Sequence, residues 1–140
     1  MNVEVLETSF DLVAPRGEEL VAVFYRRLFE RAPGVRPLFA QTDMKRQRAM
    51  LLAALVLLRK SLRDLDAIAP KLRELGARHV DYGATAEAYP IVGEVLLASM
   101  AEVAGDAWRD EYTAEWAGAY AVVQSLMLEG AEAGPRAAVA

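Results

Sequence analysis

The sequence predicts an all-α fold of about six to seven main helices, and three observations support this. Apolar residues recur at helical spacing along almost the whole chain. Proline and glycine residues separate the apolar stretches, as they do at helix ends. No stretch shows the strict alternation of apolar and polar residues that a half-buried strand requires. At 140 residues the chain suits one domain. We expect that domain to span residues 1–132, followed by a disordered tail at residues 133–140.

The first two helices follow from apolar spacing and from helix-ending residues. Asn2 is a suitable N-cap for a first helix whose apolar face repeats through Val13. Pro15 and Gly17 are expected to break it. A second helix, over residues 20–29, is expected to end before Pro33-Gly34.

A short turn of helix and then a long helix are predicted next. The turn covers residues 35–39 and contains Pro37. Asp43 is a plausible N-cap for the long helix, which runs to about Lys60. The residues expected on the inner face of the long helix are Gln47, Leu51, Ala54, Leu55 and Leu58.

Three helices are predicted in the second half of the chain. After a less regular stretch at residues 61–69, Pro70 suits the first turn of a helix that Gly83 ends. Thr85 is expected to cap the next helix, which runs to about Ala104. Gly105-Asp106 then separates it from a last helix over residues 107–129.

Composition excludes several classes of protein. A net charge of -4 and a pI near 5.1 argue against a nucleic-acid partner. The absence of cysteine excludes disulfides and thiolate metal sites. The most apolar run, residues 49–58, is half the length of a bilayer crossing, so we expect no membrane partner. The N-terminus lacks the basic and apolar regions of a secretory signal, and we expect a cytoplasmic protein.

One histidine and two polar residues stand on apolar helical faces. His79, the single histidine, continues the stripe formed by Leu72 and Leu75. Tyr25 and Gln47 each interrupt another apolar face. Taken singly, a lone histidine is more often a core or surface residue than a metal ligand, Tyr25 suits an ordinary buried tyrosine, and Gln47 suits a solvated surface. Taken together in a helical protein, they predict a pocket around a haem.

Several short motifs carry a resemblance to a known family. They are Phe24-Tyr25 with Leu28-Phe29, Pro37-Leu38-Phe39, Gln47-x-x-x-Leu51, Leu75-Gly76-x-x-His79 and Tyr89-Pro90-Ile91-Val92-Gly93-Glu94. Each motif alone is weak, but their order and spacing are specific. From about Leu20 to Tyr120 the chain resembles bacterial single-domain globins and the haem domain of flavohaemoglobins.

The resemblance implies a role for each matching residue around haem b (iron protoporphyrin IX). His79 matches the proximal histidine that binds the iron, and Tyr89 matches a tyrosine on the same side. Tyr25 and Gln47 match the distal pair that acts on the bound ligand. The apolar haem contacts that the resemblance implies are Phe39, Leu51, Leu75, Val92 and Leu96. Leu51, Phe39, Val92 and Leu96 would be core residues in any helical protein.

The chain departs from the family pattern at two positions. Met50 stands where relatives often have a basic residue near a haem propionate. Ala131 stands where flavohaemoglobins have a proximal glutamate, with Glu129 and Glu132 nearby. We expect no flavin or nicotinamide reductase domain in this protein, so electrons are expected from a separate reductase.

The distal pair suggests three functions that the sequence leaves open. Two hydrogen-bond donors over a bound dioxygen predict slow release, which suits nitric oxide dioxygenation. Oxygen binding or storage is the second reading and diatomic gas sensing the third. The expected small ligands are O2, NO and CO, and a homodimer is a further expectation. A haem-free helical interaction protein is the remaining alternative.

Overall fold

The structure is a computed structural model that describes the backbone of residues 1–139 and the side chains of residues 1–133. Over that range the chain is helical, without a strand, which confirms the all-α prediction. The α-helices are α1 (Val3–Val13), α2 (Gly17–Arg31), α3 (Met44–Lys60), α4 (Ala69–Asp81), α5 (Ala88–Ala104) and α6 (Asp110–Val139). Short 3-10 turns connect them at Ala14–Arg16, Pro33–Phe39, Leu65–Ala67 and Gly105–Ala107.

Two predicted N-caps are confirmed. The Asn2 side chain accepts a hydrogen bond from the Val5 amide at 3.2 Å, at the start of α1. The Asp43 carboxylate accepts from the amides of Lys45 and Arg46, at 3.1 Å and 3.4 Å. Each side chain satisfies backbone donors that have no partner inside the helix. Asp43 thereby fixes where the helix that carries Gln47 begins.

Other predicted boundaries were wrong. Gly17 begins α2 instead of ending α1, and it is buried where an added Cβ would lie 2.8 Å from the Leu52 side chain. Thr85 does not cap α5, which starts at Ala88 without a side-chain cap. The last helix begins later and continues beyond Glu129. The side chains of residues 134–140 lie outside the described residues, and the predicted disorder of the tail stays a prediction.

Helices α2 and α5 form the centre of the core. They pack against each other, and α1, α3 and α6 surround them. Side chains such as Leu20 on α2 and Met100 on α5 have at most 1% of their surface exposed. Residues 88–107 have the length and apolarity of a bilayer-crossing helix. A helix packed between neighbours on several sides needs the same composition.

Helix α3 is less buried than its apolar spacing predicts. Leu55 is its one fully buried residue, and Ala54, which we expected on the inner face, is exposed. The reason is that α3 packs on α2 and α1 but is not among the close neighbours of α4. Much of the surface of α3 is therefore left exposed or half-buried.

A buried hydrogen bond joins the first and last helices. The Trp116 indole N–H donates to the Ser9 hydroxyl at 2.8 Å, and that hydroxyl donates to the Val5 carbonyl at 2.7 Å. The Phe10 ring packs beside Trp116, with the ring centroids 6.1 Å apart. Ser9 is fully buried. The contact holds α6, the longest helix, against α1.

We expect Ser9→Ala to lower the free energy of unfolding by about 1–3 kcal/mol, because the Trp116 N–H would lose its acceptor in a buried place. Urea unfolding measures this. Ser99→Ala is the matched control, since Ser99 is equally buried but donates only to the Val95 carbonyl of its own helix. Equal losses in the two variants would contradict a specific role for the Trp116 contact.

Candidate functional site

Tyr25 and Gln47 meet across the interface of α2 and α3. The Gln47 side-chain amide donates to the Tyr25 hydroxyl oxygen at 3.0 Å. The Tyr25 hydroxyl therefore accepts this bond, and its own proton remains available to a further acceptor. Tyr25 is buried, and burial raises the pKa of its hydroxyl, with Gln47 and Arg48 acting in the opposite direction. Tyr25 is thus a neutral hydrogen-bond donor at physiological pH.

Aromatic rings fix the orientation of Tyr25. Its ring lies 5.0 Å from Phe24, 6.0 Å from Phe29 and 5.7 Å from Phe39, measured between centroids. Edge-on and tilted packing of this kind is favourable for aromatic pairs. Phe39 enters the cluster from the 3-10 turn Pro33–Phe39. The structure thus brings together Tyr25, Gln47 and Phe39, which the resemblance assigns to one haem pocket, and adds Phe29 to them.

His79 has one nitrogen engaged and one free for a ligand. Its Nδ1 lies 2.7 Å from the Leu75 carbonyl oxygen. A carbonyl can only accept, so Nδ1 carries the proton and Nε2 presents a lone pair. Burial lowers the pKa of His79, partly opposed by the Leu75 bond, and Arg78 lowers it further. A neutral imidazole held in one tautomer has the form that a metal ion requires.

Two tyrosines stand beside His79. The Tyr89 ring lies 6.4 Å from the imidazole, and the Tyr82 ring lies 5.6 Å away, edge to face. No hydrogen bond joins the Tyr89 hydroxyl to His79 in the part of the chain that the structure describes. Instead, the Tyr89 carbonyl accepts from the Tyr120 hydroxyl at 2.7 Å. Sequence reasoning missed Tyr82, although its spacing of three residues from His79 on a helix was a usable signal.

The remaining predicted contacts lie in the core or against it. Leu51 and Val92 are half-buried against it, and Leu96 is 8% exposed. Leu75 contributes its carbonyl to His79. Apolar side chains that the protein leaves open include Leu38, 46% exposed, and Met50, 51% exposed. Met50 therefore offers an apolar surface where relatives often place a charge.

Neither nearby glutamate is engaged with His79. Glu129 lies beside Arg73, with its Oε2 3.9 Å from the Arg73 Nε, and Glu132 is exposed. Ala131 leaves the position of the family's proximal glutamate without a charge. The proximal side of this chain thus consists of the imidazole, its own helix and two aromatic rings.

The donor set fits a haem. His79 on α4 offers a free nitrogen, and Tyr25 with Gln47 offers a hydrogen-bond donor held by α2 and α3. A flat apolar group such as haem could lie between α3 and α4 only if these helices do not pack closely, and they are not among the closely packed pairs of the described chain. The half-buried Phe39, Leu51 and Val92 supply the apolar contacts that such a group needs.

Comparison with known proteins decides the family. The family model of the globins matches residues 22–127. The chain belongs to the globin family. That range includes both His79 and the Tyr25–Gln47 pair, and the family implies haem binding. A haem-free interaction protein is therefore no longer a competing reading.

The similar proteins include flavohaemoproteins and bacterial globins. The globin is 31% identical to a flavohaemoprotein of Halalkalibacterium halodurans over 90% of its own length and 31% of that protein. It is 34% identical to one of Bacillus cereus over 91% of its length and 32% of that protein. The chain thus spans about a third of these relatives.

Solved structures show the same fold. An engineered carbene transferase made from a candidate nitric oxide dioxygenase of Rhodothermus marinus superposes with a TM-score of 0.86 at 25% identity, covering 99% of this chain and 96% of that one. A bacterial globin of Campylobacter jejuni gives 0.81 at 22% identity, covering 93% and 94%.

The lowered pKa of His79 predicts a pH dependence of the haem-free protein. Below the ordinary value of 6.5, the unfolded chain binds a proton that the folded chain resists. The contribution of His79 to the free energy of unfolding is therefore fully present above pH 6.5. It should be lost as the pH falls through the lowered pKa of His79 in the folded protein. We expect the free energy of unfolding of His79→Gln, measured with urea, to change less with pH than that of wild type between about pH 8 and about pH 5.

Since His79 is the only histidine, no other imidazole contributes to this window. Lys71→Gln changes an exposed residue on the same helix and is the matched control. Its free energy of unfolding should depend on pH as that of wild type does. A His79→Gln slope equal to that of wild type would show that the imidazole is not buried as described.

Proposed function

We propose that this globin binds haem b through His79 and catalyses nitric oxide dioxygenation with electrons from a separate reductase. The observation that carries the proposal is the Gln47–Tyr25 hydrogen bond of 3.0 Å, which leaves the Tyr25 proton free for a ligand. The likeness to flavohaemoproteins and to a candidate nitric oxide dioxygenase supports the same reaction. The reaction joins nitric oxide, dioxygen and one electron into nitrate.

Haem held by Nε2 of His79 would supply an iron that can bind a diatomic ligand. The rest of the chemistry belongs to side chains. Tyr25 donates a hydrogen bond to a ligand that carries partial negative charge, which is worth on the order of 1.5 kcal/mol, about tenfold in affinity. The Gln47 amide donates a hydrogen bond to the Tyr25 hydroxyl oxygen, so the hydroxyl proton of Tyr25 points away from Gln47.

The rate of dioxygen release distinguishes a dioxygenase from an oxygen-storage protein. A store must release its ligand, whereas a dioxygenase must keep dioxygen until nitric oxide arrives. The Tyr25 donor, held by Gln47, favours retention, and the half-buried Leu51 and Val92 offer apolar surface that suits neutral diatomic molecules. Oxygen storage is the second candidate, and gas sensing without turnover is the third.

The proposed reaction is tested by mixing the oxygenated protein with nitric oxide in a stopped-flow instrument and then supplying a bacterial flavin reductase with NADH. We expect stoichiometric nitrate in the first step and repeated turnover in the second. Oxygenated protein that does not react with nitric oxide would leave storage or sensing as the function.

The homodimer and the cytoplasmic location stay predictions. Helix α6 carries an exposed apolar side chain that a partner could cover, Val122, which is 40% exposed. Sedimentation at micromolar concentration decides the oligomeric state.

We expect His79→Ala to abolish stable haem binding or the normal ferrous spectrum, because no other imidazole can replace His79. Titration with haem, followed by its Soret absorption, measures this. Lys71→Ala on the same helix should bind haem as wild type does. An unchanged spectrum in His79→Ala would exclude His79 as the iron ligand.

The distal hydrogen bond predicts a pattern among three variants. Tyr25→Phe deletes the donor and should speed dioxygen release by about tenfold or more. Gln47→Leu should have a smaller effect. Since Gln47 contacts the Tyr25 hydroxyl, the double variant should resemble Tyr25→Phe instead of the sum.

Laser photolysis and stopped-flow ligand replacement measure these rates. Carbon monoxide, a less polar ligand, should respond less than dioxygen. Tyr112→Phe, which removes a hydroxyl from a tyrosine on α6 that packs on Trp108, is the matched control. Release rates within about twofold of wild type in both single variants would contradict this description of the pocket.

A further inference from the structure

Helices α4 and α6 approach each other at two glycines. Gly76 on α4 and Gly130 on α6 are both buried. An ideal Cβ on Gly76 would lie 1.8 Å from the carbonyl oxygen of Met127, and one on Gly130 would lie 1.8 Å from the carbonyl oxygen of Arg73. The contact is therefore reciprocal, because each glycine faces a carbonyl of the opposite helix.

The reciprocal contact fixes the register of the two helices. Arg73 and Gly76 are three residues apart, as are Met127 and Gly130, so each pair lies on one helical face. Gly76 contacts Met127, whereas Arg73, earlier on α4, contacts Gly130, later on α6. The two helices therefore run antiparallel here. A glycine Cα next to a carbonyl oxygen permits a Cα–H···O contact of the kind that recurs between close helices.

No other residue type fits either position. Real Cβ atoms are essentially never found within 3.0 Å of such a neighbour, and both neighbours here are backbone atoms that cannot rotate away. An alanine at Gly76 or Gly130 would push the helices apart by about 1 Å or more, because a packed interior transmits such strain.

A second contact ties α6 to the start of α5. The Tyr120 hydroxyl donates to the Tyr89 carbonyl at 2.7 Å, and its ring lies over Gly93, where an added Cβ would come within 2.6 Å. Tyr89 is the residue whose ring stands 6.4 Å from His79. Helix α6 therefore contacts both elements that surround the imidazole.

Helix α4 has few other neighbours that could position it. Besides α6, its close neighbour in the described chain is the short turn Leu65–Ala67. The Leu75 carbonyl that orients the imidazole is adjacent in sequence to Gly76. Any displacement of α4 relative to α6 thus moves both His79 and the acceptor of its Nδ1 proton.

We propose that α6 positions the proximal histidine, with Gly76 and Gly130 setting the distance of α4 and Tyr120 setting the start of α5. The proposal rests on the proposed function in taking His79 as the iron ligand. The two glycines and Tyr120 are positioning residues, since they act through His79 and Tyr89. Displacement of a ligand by about 1 Å is enough to change its function substantially.

The test compares Gly76→Ala and Gly130→Ala with Gly118→Ala. Gly118 lies on the same α6, but an added Cβ there meets nothing within 4 Å. We expect both test variants to shift the iron–histidine stretching band in the resonance Raman spectrum of the ferrous protein. We also expect haem transfer to excess apomyoglobin to quicken about tenfold. Gly118→Ala should match wild type in both measurements.

Thermal unfolding of the haem-free proteins gives a readout that needs no haem. Both test variants should melt below wild type, while Gly118→Ala should melt at or above it, because alanine is favoured over glycine inside a helix. Wild-type stretching frequencies and haem transfer rates in Gly76→Ala and Gly130→Ala would overturn the proposal, whatever their melting temperatures.

Tyr120→Phe keeps the inference testable if an alanine variant fails to fold. It retains the ring over Gly93 and removes only the donor to the Tyr89 carbonyl. We expect a smaller shift of the iron–histidine band, and an unchanged band would count against the role of α6. If wild type itself shows no iron–histidine band, the assignment of His79 fails, which is a separate outcome.

Discussion

The hydrogen bond from Nδ1 of His79 to the Leu75 carbonyl is the interaction on which the site depends. It engages Nδ1 of the only imidazole in the chain, fixes the tautomer of that imidazole, and leaves Nε2 available to a metal ion. Since the acceptor belongs to the same helix, the imidazole moves with α4 as a unit. The placement of α4 therefore determines where a haem iron would be held, and α6 is the main surface on which α4 rests.

The two halves of the site differ in how they are held. Tyr25 is buried in the core and surrounded by aromatic rings, and Gln47 contacts its hydroxyl. The Tyr25 hydroxyl is therefore held in place by the packing of the core that α2 and α5 form. The proximal side rests on a helix with few neighbours, whose exposed side chains include Val80. A haem held by His79 would add apolar contacts to a helix that has few close neighbours in the described chain.

Among the side chains of residues 1–133, the imidazole of His79 has no charged hydrogen-bond partner, and this has a chemical consequence. In this globin Glu129 lies next to Arg73, and Ala131 occupies the position of the proximal glutamate of flavohaemoglobins. A carboxylate would make the imidazole a stronger electron donor, whereas the Leu75 carbonyl is a neutral acceptor. The proposed dioxygenation therefore depends on the distal donor pair more than on the proximal side.

The sequence by itself determined the helical class and the caps at Asn2 and Asp43, because periodicity and capping are local properties of the chain. The pairing of Tyr25 with Gln47 joins two helices, and only the resemblance to bacterial globins pointed to it. It predicted Thr85 as a cap and Ala54 as a core residue, and both were wrong. Which face of α3 is covered depends on where α1 and α2 pack against it, and those are contacts between distant segments. Only the tertiary structure placed Gly76 against Met127 and Gly130 against Arg73. The physical reason is that a glycine in a helix has the same local pattern whether it faces solvent, as Gly118 does, or a second backbone.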